Sequence, residues 1–254
     1  MLKFTGTVIP SITVMLKSTR KEELISEIGR SLAEGAESFC LLYESLDKEA
    51  KTDESIREIM AAMENRPIYV TNYIRNSTDP HQTDGDRAAR LLELFDMGAS
   101  LIDIRTDMFC PSPDEVTEEP SAVEKQIKLI EKIHSRGGEV IMSSHIFRYT
   151  PPEEVLRIAK LQEARGADIA KIVTVADTEK ELNDAFGTLS LLKSSLSIPF
   201  LYLINGKMCA KHRMLSGVLG SCIYLCRENS YTGDTQPTVE EVKEIIKRTS
   251  RGEI

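Results

Sequence analysis

The chain has 254 residues, 41% of them hydrophobic and 28% charged, which suits a soluble protein able to bury a core in one large domain or two small ones. Its net charge is −8 and its longest basic run is Lys211-His212-Arg213, a balance that argues against a nucleic-acid partner. It contains no run of about 18 apolar residues and no apolar leader core after Met1, so neither a membrane span nor export is expected, and the chain is expected in the cytoplasm.

Apolar strand-like runs alternate with amphipathic helical ones from end to end. The pattern predicts strands over 6–12, 38–43, 68–72, 101–105, 139–144, 169–173, 200–204 and 222–225. Helices are predicted over 21–33, 54–64, 84–97, 122–136, 152–165, 179–194, 208–218 and 239–248. Strict alternation implies parallel strands, and eight repeats imply a closed (β/α)8 barrel, a single catalytic domain over 1–254. The turns Glu34-Gly35-Ala36, Met97-Gly98-Ala99 and Arg165-Gly166-Ala167 each put a glycine at a helix C-terminus, as a repeated βα unit would. An open doubly wound sheet is the structural rival, but no Gly-rich phosphate turn follows the first strand. The longest connections, 76–83 and 107–120, both follow strands and would lie over the active face.

Five scattered cysteines (Cys40, Cys110, Cys209, Cys222, Cys226) read as reduced packing residues. Cys222 and Cys226 lack zinc-ligand spacing, and the acidic stretch 114–119 reads as a solvated loop rather than a metal site. No metal is expected.

Chemistry concentrates in two buried runs. Val140 to His145 ends in a histidine just before Thr150-Pro151-Pro152 opens a helix, and Gly166 to Val173 carries Lys171 inside an apolar stretch. With Ile169, Lys171 and Val173 on one face, Lys171 points into the barrel, where desolvation favours the neutral, nucleophilic amine. Neighbouring strands lie about 4.8 Å apart, so His145 can meet Lys171 at the mouth and carry its protons. A lysine snorkelling to the rim beside a packed histidine is the plainer alternative. Arg213 beside Lys211 would, taken alone, be read as part of a solvated face.

The segments Ser144-His145-Ile146-Phe147 with Thr150-Pro151, and Gly166-Ala167-Asp168-Ile169-Ala170-Lys171-Ile172, resemble the catalytic-histidine and Schiff-base-lysine blocks of the type I 3-dehydroquinate dehydratases. Asn205-Gly206 followed by Arg213 and Gly220-Ser221 is similar in spacing to a third block, and Thr232 and Gln236 to a Ser…Gln pair in the closing loop. The resemblance implies a (β/α)8 lyase of the shikimate pathway, serving aromatic amino acid biosynthesis. It implies dehydration of 3-dehydroquinate to 3-dehydroshikimate without metal or organic cofactor, and often a homodimer. It further implies that Lys171 forms an imine with the ring ketone, that His145 is the general acid and base, and that Arg213, Thr232 and Gln236 hold the substrate carboxylate. Strands two to four depart from the family pattern. Cys40, Leu42 and Glu44 stand where it writes Glu-x-Arg-x-Asp, Thr71-Asn72-Tyr73 where it writes Thr-x-Arg, and Asp103-Ile104-Arg105 where it writes Asp-x-Glu. A Glu-Gly-Gly loop is missing, Asn205 replaces Met, and His212 replaces Ser. Cys40 and Leu42 would therefore leave an apolar wall, with Cys40, Leu42 and Tyr73 as further substrate-binding residues, and the small-molecule substrate could be a related cyclic keto-carboxylate with a different distal substituent. A class I aldolase and a ligand-binding paralogue without turnover are the other readings.

Overall fold

A computed structural model describes residues 3–5, 10–231 and 235–252. Eight strands alternate with eight major helices: β1 (Ser11–Met15), α1 (Lys21–Glu34), β2 (Ser38–Leu42), α2 (Asp53–Ala62), β3 (Ile68–Thr71), α3 (Asp84–Asp96), β4 (Leu101–Arg105), α4 (Pro120–His134), β5 (Glu139–His145), α5 (Pro152–Ala164), β6 (Ile169–Val175), α6 (Glu179–Ser195), β7 (Phe200–Asn205), α7 (Cys209–Leu219), β8 (Ile223–Cys226) and α8 (Val239–Ser250). All the strand pairs are parallel, running β7-β6-β5-β4-β3-β2-β1-β8. Among the described residues the ring is drawn together between β7 and β8 by a main-chain bond, Cys222 N–H to Phe200 O at 2.8 Å, and by the Ser221 hydroxyl, which accepts from Tyr202 N–H at 3.1 Å. This is the (β/α)8 barrel expected.

The predicted elements match in kind and nearly in length, with one displacement. The first strand is Ser11–Met15 rather than 6–12, because Pro10 has no N–H to give a ladder and pairing begins at the next residue, Ser11 N–H to Cys222 O at 3.0 Å. Residues 6–9 of the expected strand lie outside the described residues. The three junction glycines do what the turn requires: Gly35, Gly98 and Gly166 have φ of 95°, 128° and 98°, a left-handed region closed to most side chains. At the opposite helix ends, Thr83, Thr178 and Thr238 each form a reciprocal cap with an acid three residues on.

Alternation along the strands divides the core. Ala170 and Ile172 face outward and pack with Val155, Ile158, Leu182 and Leu189 of α5 and α6. Cys40, Tyr69, Leu101, Ile141, Ile169, Val173, Leu201, Leu203 and Leu225 face inward and fill the barrel, with Phe4 below them. Phe4 N–H donates to the Glu139 carboxylate at 2.6 Å, which ties the N-terminal segment across the floor. Among the described residues, no helix is long and apolar enough to cross a membrane.

Candidate active site

Lys171 occupies the inward position that strand parity predicts, and its side chain is 4% exposed. It is not a snorkelling rim lysine. Nζ donates to Tyr73 Oη at 2.7 Å, Tyr69 Oη at 2.8 Å and Asp103 Oδ2 at 3.3 Å. Asp103 is fully enclosed and accepts from three hydroxyls, those of Tyr69, Tyr73 and Ser143. A buried carboxylate survives only with such donors and a counter-charge. The enclosure that buries the amine also places the Asp103 side chain 3.3 Å from it. Burial, reinforced by the Asp103 charge, pushes both tyrosine hydroxyls well above their ordinary range, so they hold their protons.

His145 ends β5, where it pairs with Val173, two residues beyond Lys171 towards the mouth. It makes no hydrogen bond to Lys171 among the described residues. Tyr73 stands between them, its ring edge-on to the imidazole with centroids 5.1 Å apart. The imidazole is held from the other side by Glu115, whose Oε2 lies 2.7 Å from Nδ1 and 3.0 Å from the His145 N–H. Arg75 Nη2 closes on Glu115 Oε1 at 3.1 Å and stacks over exposed Phe147. Burial draws His145 below its ordinary pKa, as does the Lys171 charge, while the bond to Glu115 resists. Burial would raise Glu115, yet His145 and Arg75 carry it below the usual carboxylate range. Its backbone has φ of 49°, a conformation that costs a non-glycine residue about 1 kcal/mol or more. Glu115 lies in the acidic stretch expected to be a solvated loop. That reading is wrong for this residue, and no local pattern marks it, because its partner is 30 positions away.

The remaining expected residues fall as follows. Arg213 is buried on α7 rather than on a solvated face, with Nε on Ile204 O at 3.1 Å and Nη2 on Asn205 Oδ1 at 2.8 Å. These bonds set it at the C-terminal end of β7. Gln236 is buried in the connection after β8, its main-chain carbonyl accepting from Arg227 Nε at 3.0 Å. Thr232 lies outside the described residues. Cys40 pairs with Tyr69 and Leu42 with Thr71 across β2 and β3, and both pack on the barrel interior beside Met15. Burial pushes the Cys40 thiol up, so it stays protonated and apolar in character. Glu44, next to this wall, accepts from Thr71 Oγ1 at 2.8 Å, and burial raises it to about 7.

Two groups steady the lysine from outside. Gln162 on α5 accepts the Lys171 N–H at 3.0 Å and donates to Lys171 O at 3.1 Å and Thr106 Oγ1 at 2.9 Å. Arg87 on α3 donates to Tyr73 O at 2.7 Å and to Asn72 Oδ1 at 3.1 Å. Among the described residues no cluster of three or more His, Cys, Asp or Glu side chains is arranged to hold a metal.

The sequence model for type I 3-dehydroquinase matches residues 12–252. A 3-dehydroquinate dehydratase of Shouchella clausii is 25% identical over 243 residues, covering 93% of this chain and 90% of that protein. Another, from Clostridium novyi, is 26% identical over 241 residues, covering 93% and 89%. Among solved structures, the type I 3-dehydroquinate dehydratase of Clostridium difficile superposes with a TM-score of 0.82 at 16% identity, covering 97% of this chain and 95% of that one.

Proposed function

The chain belongs to the type I 3-dehydroquinase family, and from that membership we propose that it dehydrates 3-dehydroquinate to 3-dehydroshikimate through an imine on Lys171. The observation that carries the residue assignment is one buried amine at the barrel mouth, 2.7 Å from a tyrosine hydroxyl and one strand from an oriented histidine. Lys171 condenses with the ring ketone, and the iminium acidifies the adjacent carbon. His145, with Nδ1 fixed by Glu115, presents its other nitrogen to that carbon, removes the proton, and returns it to the departing hydroxyl. Arg213, Gln236 and Thr232 take the carboxylate. Cys40 and Leu42 form the wall that faces the far side of the ring, and Tyr73 stands against the ring beside the amine.

That wall favours a second reading of the substrate. A distal ring hydroxyl meeting this wall would lose water without gaining a partner from Cys40 or Leu42. A cyclic β-hydroxy keto-carboxylate with fewer distal hydroxyls fits this wall better. The homodimer expected from the resemblance and the cytoplasmic location expected from the sequence belong to the same proposal; light scattering tests the first.

The direct test is reductive trapping. The protein is incubated with dehydroquinate, reduced with borohydride and mapped by mass spectrometry, while absorbance of the conjugated product is followed. An adduct on Lys171 with product formation is expected. No adduct and no absorbance would refute the dehydroquinate reading. Trapping in the unaltered protein is preferable to Lys171→Ala alone, because that substitution leaves Asp103 buried without its counter-charge, at a cost of about 3–5 kcal/mol in stability.

A further inference from the structure

We propose that Tyr73 is a catalytic residue of the imine-forming step, its hydroxyl passing a proton from the Lys171 nitrogen to the ketone oxygen. The inference rests on the imine-forming reading above and divides the proton traffic that reading gives wholly to His145. The geometry makes the division. His145 lies two residues closer to the mouth than Lys171, has Nδ1 occupied by Glu115, and does not touch the amine. The hydroxyl that touches Nζ from the mouth side belongs to Tyr73, at 2.7 Å. A ketone carbon in bonding distance of Nζ necessarily carries its oxygen within a few ångströms of the same nitrogen, in the space this hydroxyl borders.

Tyr69 makes a similar contact with Nζ, at 2.8 Å, but from below. It belongs to β3, pairs with Leu101 in the packed interior and is wholly buried, whereas Tyr73 lies past the end of β3, where substrate enters. Tyr69 is thus a positioning residue. Asp103 makes the turn of the Tyr73 hydroxyl possible. Its carboxylate keeps Tyr69, Ser143 and Lys171 as donors when Tyr73 swings its proton to the substrate, so the anion is never stripped. Arg87, bonded to the Tyr73 carbonyl, holds the backbone from which the ring turns.

The step balances within these groups. The Lys171 amine attacks the carbonyl carbon, the C–N bond forms, and the C=O π pair moves to oxygen, leaving positive nitrogen and negative oxygen. Tyr73 gives its hydroxyl proton to that oxygen and takes one from the nitrogen, so the tyrosine is unchanged and the carbinolamine is neutral. Water then leaves with one further proton, which His145 takes up from solvent at the mouth and delivers to the carbinolamine oxygen, while the proton that a lysine ammonium loses on becoming the attacking amine is returned to solvent. The nitrogen lone pair closes the C=N bond.

The test compares Tyr73→Phe with Tyr69→Phe, each losing one hydroxyl donor to Asp103. The rate of borohydride-trapped Lys171 adduct is followed by intact mass with dehydroquinate as the probe, beside the thermal midpoint of each variant. Tyr73→Phe is expected to slow adduct formation about 100-fold, the lower range of general acid–base catalysis, and Tyr69→Phe by less than about 10-fold at a comparable midpoint. A Tyr73→Phe rate equal to that of the unaltered protein, or equal losses in both variants, would overturn the proposal in favour of simple support of Asp103. The unaltered protein should show a solvent deuterium isotope effect on adduct formation, and its absence overturns the proposal even if Tyr73→Phe fails to fold. No adduct in the unaltered protein refutes the underlying imine reading instead, and this step falls with it.

Discussion

Glu115 offers the sharpest quantitative test of the site. Its carboxylate is 15% exposed and the imidazole it grips 12%, so the contact works in a largely water-excluded setting. Oε2 receives both the His145 N–H and Nδ1, and Arg75 keeps the carboxylate from turning away. When His145 takes a proton from carbon it becomes an imidazolium, and the bond to Glu115 becomes a charge-assisted one. Such bonds contribute about 1.5–3 kcal/mol, so Glu115→Ala should lower kcat/KM by about 10- to 150-fold. Glu115→Gln retains an acceptor for Nδ1–H but no charge, and should fall near the lower figure. The pH profile adds a sign. In the proposed mechanism neutral His145 is the base, so kcat/KM should rise with pH through its pKa in the free enzyme. Glu115 is what holds that pKa up against burial and Lys171, so Glu115→Ala should move the acid limb to lower pH while depressing the plateau. Initial rates of conjugated-product absorbance over about pH 5–9 read both effects. A Glu115→Ala enzyme with unaltered kcat/KM and an unmoved acid limb would show that the contact is incidental.

Two further outcomes follow from buried polar groups. His212 is fully buried between the Phe186 and Tyr202 rings, with only the Ala185 backbone as a weak polar neighbour among the described residues. Burial, with the Arg213 charge second, pushes it down to about 3 from an ordinary 6.5. The unfolded chain therefore binds a proton that the folded one refuses, so stability is full above about 6.5 and falls as pH drops towards 3. His212→Phe should raise stability by about 1–3 kcal/mol in urea titrations at neutral pH and flatten the acid side of the curve; a neutral or destabilising result would contradict this account. Gln162→Leu removes bonds to Lys171 N and O, Thr106 and Ser144, and should cost about 2–4 kcal/mol in the same titration. A change below about 0.5 kcal/mol would mean that the strand ladder alone sets the lysine backbone.

Sequence pattern reached the barrel and the positions of His145 and Lys171 because both rest on periodicity. Lys171 shares parity with Ile169 and Val173, and an amine at an inward strand position can hardly be anything but buried. The same parity was available at Asp103 and Tyr69, each inward on its strand. Their convergence on one amine was not, since it depends on the width of a closed barrel: 68 and 102 positions separate them from Lys171. Glu115 was opaque for a different reason. Its neighbours, Pro113, Asp114 and Glu118, are typical of solvated loops, and Asp114 and Glu118 do pair with surface arginines. Only the tertiary path of the connection turns Glu115 inward. Pro10 shows the converse, a local rule that would have placed the first strand correctly had its missing N–H been weighed above the apolar run before it.

The seam between β7 and β8 gives the barrel a direction of breathing. Among the described residues, every other neighbouring pair of strands shares a registered ladder, whereas these two are joined by the Cys222 amide and the Ser221 hydroxyl. Amide hydrogens along the facing edges of β7 and β8 should exchange with deuterated solvent before those of β5 and β6, since their opening breaks the fewest cooperative bonds. Arg213 is bonded to the end of β7, on the yielding side. Lys171 and its tyrosines are laced into the rigid side. A substrate carboxylate bridging to Arg213 would therefore act as a staple across the soft edge, and slower exchange at β7 and β8 on ligand binding would report it without any measurement of turnover.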